Sequence, residues 1–198
     1  MRSDIYLLLA TLFREAPTKD LIDFLANLEF EDNGTSMAQA WSELSSASAN
    51  ANVEELEDEY QELFIGIGRG EVVPFASWHL TGSLMEKPLA DIRLALSHLG
   101  LERNENVKEP EDHIAALCET MAYLCEQPDV LQKSFFNKHV APWYERLVAQ
   151  IKDAQHTRYY HAVAKLMDAF LSLEKVSFAE AKVSKRNTHK IEVKNLTE

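Results

Sequence analysis

The chain has 198 residues, of which 46% are hydrophobic and 26% are charged, as is usual for a globular protein with its own core. Its formal net charge of −12 disfavours non-specific binding to nucleic acid or to an anionic membrane, and it suits a basic partner. No apolar run approaches the ~18 residues of a membrane span, and no small-residue cleavage site follows the first apolar residues. Neither of the two cysteines requires an oxidising compartment, so the cytoplasm is the expected location.

Helical periodicity dominates the first hundred residues. Apolar side chains recur three and four positions apart, which is typical of helices that bury one face. Residues 45–52 are small and polar, and we expect them to form a loop or a frayed helix end. The acidic residues of the stretch 53–64 are expected to face solvent. Helices are predicted from Ser3 or Asp4 up to Pro17, from Thr18, around Met37–Leu44, over Val53–Phe64 and over Glu86–Leu99, with a short turn in Ala76–Met85.

Three glycines, Gly66, Gly68 and Gly70, interrupt this pattern and begin an irregular loop. Their spacing departs from a phosphate-binding loop, because Glu71 stands where Gly-x-Gly-x-x-Gly requires its third glycine and no strand precedes them. We therefore expect the glycines to provide positive φ angles or a close approach of the backbone, with Pro74 fixing the exit from the loop.

A polar segment with little periodicity, residues 101–111, precedes a second helical region and is the best candidate for a hinge. Pro110 is expected at the first helical position, with Glu111 and Asp112 in the first turn. Residues 181–198 carry a net charge of +3, and 176–198 are expected to form a flexible basic tail. Further helices are predicted from Pro110 to before Pro128, over Val130–His139, from Pro142 to Ile151 and over Tyr159–Leu173.

These patterns predict an all-α fold with essentially no β-strand, because no segment shows sustained alternation of apolar and polar residues. We expect an N-terminal helical lobe over residues 1–100, a hinge segment over 101–111 and a C-terminal helical lobe over 112–175.

The chain offers few residues for catalysis or for metal binding. None of its seven histidines stands in a His-x-x-x-His or Glu-x-x-His pattern, and the cysteines lack zinc spacing. Ser77 lacks the Gly-x-Ser-x-Gly setting of an esterase nucleophile. Asp112 and His113 stand together at a predicted helix start, where a capping acid with a polar neighbour is the commoner interpretation. No metal, no cofactor and no enzymatic activity are therefore expected.

Several short motifs, taken in their order and spacing, resemble the TorD/DmsD family of cytoplasmic chaperones. That family holds molybdoenzyme precursors before their export through the twin-arginine pathway. The resemblance extends from the first helix to about Leu173, and the set is far more specific than any one motif. The motifs are Tyr60-x-x-Leu63-Phe64-x-Gly66, Pro74-Phe-x-Ser77, Glu109-Pro-x-Asp112-His113 and the weaker His139-x-x-Pro142-Trp143.

The resemblance implies a helical bundle of two lobes joined by a hinge, present as a monomer or as a lobe-exchanged dimer. It also implies a chaperone that binds the twin-arginine signal peptide of a molybdoenzyme precursor, and often its mature part. Binding would delay export until the molybdenum cofactor is inserted. The implied clients are trimethylamine-oxide reductases, dimethyl-sulfoxide reductases or formate dehydrogenases.

A peptide-binding site is implied as well. A twin-arginine leader carries two guanidiniums followed by an apolar stretch, so a receptor needs carboxylates beside an aromatic and aliphatic groove. Asp112, together with Glu71 or Glu111, is expected to pair with arginine, and His113 to donate to the peptide backbone. The expected peptide-binding residues are Tyr60, Leu63, Phe64, Glu71, Pro74, Phe75, Ser77, Trp78, Asp112 and His113.

Other interpretations stay open at this point. In one of them the protein serves a non-exported or membrane-side subunit, or inserts cofactor without recognising a leader. A hydrolase would use Asp112 and His113 as acid and base, although it would lack a nucleophile and a metal set. A purely structural helical module would oligomerise by exchanging lobes. Arg69, which would oppose an arginine pair if it pointed into the site, leaves the identity of the client open.

Overall fold

The computed structural model describes residues 1–31, 33–66 and 70–179 of the chain. Within these ranges the backbone forms ten α-helices and two π-helical turns, and its one β-type contact is an isolated antiparallel bridge between Phe75 and His113. The predicted all-α fold class is confirmed. The helices are α1 Arg2–Arg14, α2 Lys19–Ala26, α3 Ser36–Ala49, α4 Val53–Tyr60, α5 Ala76–Thr81, α6 Lys87–His98, α7 Ile114–Leu124, α8 Asp129–Phe135, α9 Tyr144–Asp153 and α10 Tyr159–Ser177, and the π-helical turns are Gln61–Ile65 and Phe136–Val140.

Side-chain caps fix where the early helices begin. The hydroxyls of Thr18 and Thr35 each accept a hydrogen bond from the backbone N–H three positions ahead, at 3.4 Å and 3.2 Å. The amide oxygen of Asn52 accepts from the first turn of α4 at 2.9 Å. Each cap satisfies an N–H group that lacks a partner inside its helix, so the local sequence alone sets these starts.

Helix α3 continues to Ala49, so the loop or frayed end expected over residues 45–52 is largely wrong. The small residues of this stretch allow α10 to pack closely against α3. The hydroxyl of Ser48 donates to the carbonyl oxygen of Leu44 at 2.8 Å and lies 3.0 Å from the hydroxyl of Tyr159. A polar contact with Tyr159 of α10, which the local sequence does not predict, therefore stabilises the last turn of α3.

One hydrophobic cluster contains residues from both predicted lobes. Helix α1 packs along α7, while α3 and α9 pack against α10. The rings of Tyr6 and Phe170 meet edge-to-face at 4.7 Å, and those of Phe13 and Tyr160 are 6.3 Å apart. The division into lobes 1–100 and 112–175 stays a prediction, and helices from the two ranges share this cluster.

Two buried carboxylates connect the beginning of the chain with its end. Glu59 accepts hydrogen bonds from the backbone N–H groups of Arg158, Tyr159 and Tyr160 at 2.7 to 3.0 Å, so it caps α10 from α4. The expectation that all the acidic residues of this stretch face solvent is therefore wrong for Glu59. A buried carboxylate requires such donors, and the start of a helix supplies them together with a favourable dipole.

Glu174 makes the second connection. Its two carboxylate oxygens accept from Nε and Nη2 of Arg2 at 2.9 Å and 2.7 Å, and Oε2 also accepts from the hydroxyl of Tyr6 at 2.9 Å. Helix α10 runs to Ser177, beyond the predicted end at Leu173. Of the predicted tail 176–198, residues from 180 onward lie outside the described part of the chain. None of the described helices is both long and apolar enough to cross a membrane.

Candidate functional site

The two most specific motif segments meet through their backbones. The N–H of Ile114 donates to the carbonyl oxygen of Pro74 at 2.9 Å, and the N–H of Ala76 donates to the carbonyl oxygen of Asp112 at 3.0 Å. These two bonds flank the isolated bridge between Phe75 and His113. The loop that leaves the glycine run is thereby fastened to the start of α7.

The carboxylate of Asp112 completes this connection. Its Oδ2 accepts a hydrogen bond from the backbone N–H of Ser77 at 2.9 Å, in the first turn of α5, and the residue is 1% exposed. Asp112 and His113 are held by the 74–77 segment and are not part of a helix, so α7 begins at Ile114 and the predicted start at Pro110 is wrong. The expected pairing of Asp112 with an arginine stays a prediction, and the described contact of its carboxylate is with Ser77.

His113 is buried beside Asp112 and is the N-terminal cap of α7. Its Nδ1 accepts from the backbone N–H of Ala115 at 3.1 Å, and its ring packs edge-to-face on Phe75 with centroids 4.9 Å apart. Burial, together with a smaller effect of the positive charge of Arg14, lowers the pKa of His113 to about 3. The imidazole is therefore neutral at physiological pH and serves as a helix cap.

Tyr60 ends α4, and Leu63 and Phe64 lie in the π-helical turn that follows; the rings of Tyr60 and Phe64 belong to an aromatic cluster in the core. Tyr60 donates its hydroxyl to the carbonyl oxygen of Phe13 at 3.2 Å, and its ring lies 5.1 Å from that of Phe64. Phe64 is half-buried against Phe13 and Tyr160, and Leu63 is fully buried. Burial raises the pKa of Tyr60 to about 12, with the Glu109 carboxylate adding to the effect. The Tyr60 hydroxyl therefore stays protonated near the cleft that contains Glu109.

Glu71 lies apart from these groups and contacts the connection between α9 and α10. One carboxylate oxygen forms a short contact with Nδ1 of His156, and the other accepts from the His156 N–H at 3.3 Å. The hydrogen bond from the His156 ring lowers the pKa of Glu71. Of the remaining expected site residues, Pro74 and Ser77 are buried, while Phe75 and Trp78 are half-buried. Gly68 and Arg69 lie outside the described residues.

A solvent-open cleft of about 260 Å³ lies between the end of α1, the start of α7 and the predicted hinge segment 101–111. Its apolar floor includes Leu96, Leu101, Val107 and Tyr123, and His113 forms part of its wall. Among the residues expected to bind the peptide or its arginines, Glu111 and His113 line this cleft within the described ranges. The cleft's carboxylates are those of Glu102, Glu109, Glu111 and Glu119, and its guanidiniums are those of Arg14 and Arg103.

Two of the four cleft carboxylates already bind arginine. Nη2 of Arg14 lies 2.7 Å from Glu119, and Glu111 accepts from Nε of Arg93 at 2.9 Å and lies 3.5 Å from Nε of Arg103. Glu102 and Glu109 are exposed, and neither forms an ion pair within the described ranges. The sequence contained one signal for these residues, since the hinge segment is glutamate-rich and lacks helical periodicity.

The comparisons with known proteins agree with this fold. The family model described as nitrate reductase delta subunit matches residues 30–149. A "Chaperone protein TorD" of Actinobacillus succinogenes is 27% identical over 150 residues, which cover 75% of this chain and 77% of that protein. A second protein of that name, from Aliivibrio salmonicida, is 27% identical over 200 aligned positions that cover 87% of this chain and 92% of the relative.

A solved structure shows the same fold. The crystal structure is that of an Archaeoglobus fulgidus protein described as a redox enzyme maturation protein, and it superposes with a TM-score of 0.59 at 21% identity. It covers 87% of this chain and 94% of the other. Because the family model spans more than half of the chain, this protein belongs to the nitrate reductase delta subunit family, the family of the TorD-like chaperones.

Proposed function

We propose that this protein is a cytoplasmic maturation chaperone that binds the twin-arginine leader of a molybdoenzyme precursor. Binding delays export until the molybdenum cofactor has been inserted. Membership of the TorD-like family supports the chaperone role. Clients of the reductase or formate dehydrogenase type are part of the proposal, and the cleft beside the hinge segment is proposed as the place where the arginines bind.

The observation that carries this proposal is the pair of exposed carboxylates of Glu102 and Glu109 above an apolar floor, neither of which forms an ion pair with another described residue. A guanidinium prefers a carboxylate that it can contact through two hydrogen bonds. The cleft already accommodates such groups, because Glu111 binds Arg93 and Arg103 at the same time. Two arginines of a leader find matching partners in Glu102 and Glu109 without displacing an existing ion pair.

The charge of the whole molecule supports the same proposal. Residues 1–180 carry a net charge of −15, which attracts a cationic leader from a distance. Such steering raises the association rate and falls with ionic strength. The affinity for a leader should therefore decrease as salt is added, and the loss should be carried mainly by the association rate.

A leader fused to a soluble carrier protein tests the proposal. The leader contains two consecutive arginines and an apolar stretch of about twelve residues. A matched leader has both arginines replaced by glutamine. We expect the arginine leader to bind about tenfold or more tightly, which corresponds to one charge-assisted hydrogen bond or more. Equal binding of the two leaders, or no binding of either, would overturn the proposed function.

Variants of the chaperone locate the arginine site. The double replacement Glu102→Gln with Glu109→Gln should remove most of the preference for the arginine leader. The control, Glu57→Gln with Asp58→Asn, removes the same formal charge from the exposed face of α4. Equal losses in both double variants would assign the preference to net charge rather than to the cleft. In cells that lack the chaperone, cofactor-free client should reach the exported fraction earlier than in wild-type cells.

A further inference from the structure

A second opening, larger than the cleft, lies at the other end of α1. This groove has a volume of about 560 Å³ and is formed by α1, α2, α3 and the segment that joins α2 to α3. Its lining is mainly apolar, and its acidic side chains, Asp4, Glu29 and Glu31, are all exposed. The apolar lining includes the half-buried side chains of Ile5, Leu8, Leu28, Phe30, Met37 and Trp41.

The groove exposes an aromatic side chain that the core of the molecule does not use. Helix α2 buries Ile22 and Leu25 against α3, whereas Phe24 on the same helix is 59% exposed and lines the groove. Exposed apolar patches with a polar rim mark surfaces that bind another molecule. The groove is therefore shaped for an apolar ligand rather than for the packing of this domain.

We infer that the groove binds the apolar stretch of the leader whose arginines occupy the cleft. The inference rests on the proposed function and adds a second, separate contact surface to it. Charge complementarity favours this occupant. Among the described lining residues, the one cation is the terminal amine of Met1, which pairs with Asp4 at 2.7 Å. Glu29 and Glu31 remain available to cations that flank an apolar segment.

The two openings are arranged along one helix. Arg14 lines the cleft, and Ile5 and Leu8 line the groove, so α1 connects the two surfaces. At 1.5 Å and 100° per residue, Ile5 and Arg14 are about 14 Å apart along the helix axis and about 180° apart around it. The apolar stretch of a leader has about 7 to 15 residues, and as a helix it is about 10 to 22 Å long. In an extended form the same stretch is about 23 to 50 Å long, so one leader is long enough to pass around α1, over the exposed residues Leu7 and Thr11, and contact both surfaces.

A matched pair of variants tests this inference with the same leader fusion. Phe24→Asp places a charge in the groove at a position that is 59% exposed, so the fold should survive. Leu173→Asp is the control, because this residue of α10 is 54% exposed and lies outside both openings. A third leader keeps its arginines and has its apolar stretch replaced by serine and asparagine. Thermal unfolding followed by circular dichroism checks that both variants are folded.

The effect of Phe24→Asp on binding should depend on which leader is used. Phe24→Asp should weaken binding of the complete leader about tenfold or more, as expected when an aromatic side chain loses its apolar contacts. It should leave binding of the leader with the polar stretch unchanged, and Leu173→Asp should affect neither. If the arginine leader binds and Phe24→Asp has no larger effect than the control, the groove inference is overturned while the proposed function stands. If no leader binds to wild-type protein, the proposed function itself fails.

The same variants and leaders distinguish two other occupants of the groove, the chain's own tail and a second copy of the chain. The described chain ends at Ala179, shortly after Phe178, whose ring lies 5.2 Å from the guanidinium of Arg2 at the start of α1. A photocrosslinking side chain in place of Phe24 should attach to the leader. Attachment to residues 180–198 that persists in the presence of saturating leader would assign the groove to the chain's own tail. A dimer mass in light scattering that Phe24→Asp abolishes would assign it to a second copy. Either result overturns the inference.

Discussion

Oδ2 of Asp112 lies 2.9 Å from the backbone nitrogen of Ser77 and joins two motifs that are 35 positions apart. This hydrogen bond fastens residues 74–77 to residues 112–114, and we call these two connected segments the clip. The clip also contains the backbone bonds between Pro74 and Ile114 and between Asp112 and Ala76. It holds His113 in the wall of the acidic cleft.

Replacement of Asp112 by alanine should destabilise the fold. The change leaves the N–H of Ser77 buried without an acceptor, and we expect the free energy of unfolding to fall by about 1 to 3 kcal/mol. Denaturant unfolding measures the loss, and Asp58→Ala on the exposed face of α4 is the control. The same protein tests the predicted binding role, since a folded Asp112→Ala chaperone that binds leader like wild type would remove Asp112 from the peptide site.

Replacement of Glu59 by alanine should have a larger effect. Glu59 is buried and accepts from three backbone N–H groups at the start of α10. Without the carboxylate these N–H groups lose their acceptor, and because the site is buried, solvent does not replace it. We expect a destabilisation of about 3 kcal/mol. Glu57→Ala, on the same helix and exposed, should change stability by less than about 0.5 kcal/mol. Equal effects of the two variants would contradict the capping role assigned to Glu59.

The stability of the protein should decrease as the pH falls below about 6.5, the ordinary value of histidine. Burial lowers the pKa of His113 to about 3 in the folded protein, so protons bind preferentially to the unfolded chain in the interval between these values. For this group alone the loss between pH 7 and pH 5 is about 2 kcal/mol. His139, whose pKa burial lowers to about 4, acts in the same direction.

His113→Asn isolates the contribution of His113. Asparagine retains an oxygen that can accept from the N–H of Ala115, and it removes the titrating group. Denaturant unfolding at pH 7 and pH 5 should show a smaller loss of stability in the variant than in wild type. A pH dependence that is identical in both proteins would show that His113 does not titrate differently in the folded and unfolded chains.

Gly70→Ala should disturb the loop between the π-helical turn and α5. A Cβ atom on Gly70 would lie 2.4 Å from the carbonyl oxygen of Leu63, which already accepts from the N–H of Val72 at 2.8 Å. The backbone must move, and we expect a destabilisation of about 2 kcal/mol or more. Gly100→Ala is the comparison. A Cβ atom on Gly100 would meet no atom within 4 Å, and the alanine would be strained only by the φ of +71° at this position. The free energy of unfolding should therefore fall by about 1 kcal/mol.

Local chemistry in the sequence was sufficient to predict most of the helices. Thr18 stands at a cap position ahead of an apolar helical face, and the structure begins α2 at the following residue. The glycine loop followed its prediction where it is described, because Gly66 has a φ of +58° and Gly70 approaches the backbone closely. These features depend on interactions within a few residues, which the sequence displays directly.

Features that depend on distant partners escaped prediction. Asp112 is a cap, as the commoner interpretation held, but it caps α5 rather than its own helix, because its donor lies 35 positions away. Nothing in the local sequence separates Glu59 from its acidic neighbours, since its donors belong to a helix about one hundred positions later. The cleft beside residues 101–111 and the groove beside α2 arise from packing between helices, and periodicity does not report the spaces that helices leave open.

The interlocking of α1 with α7 and α10 has a consequence for synthesis on the ribosome. Tyr6 acquires its ring contact with Phe170 and its acceptor on Glu174 only after those residues have left the exit tunnel. A nascent chain that lacks α10 leaves Tyr6 and Phe13 of α1 without their ring contacts to Phe170 and Tyr160, and contacts between such distant positions form late. Helix α10 therefore completes the core of the described residues, and chains truncated before it should be degraded or aggregate instead of folding.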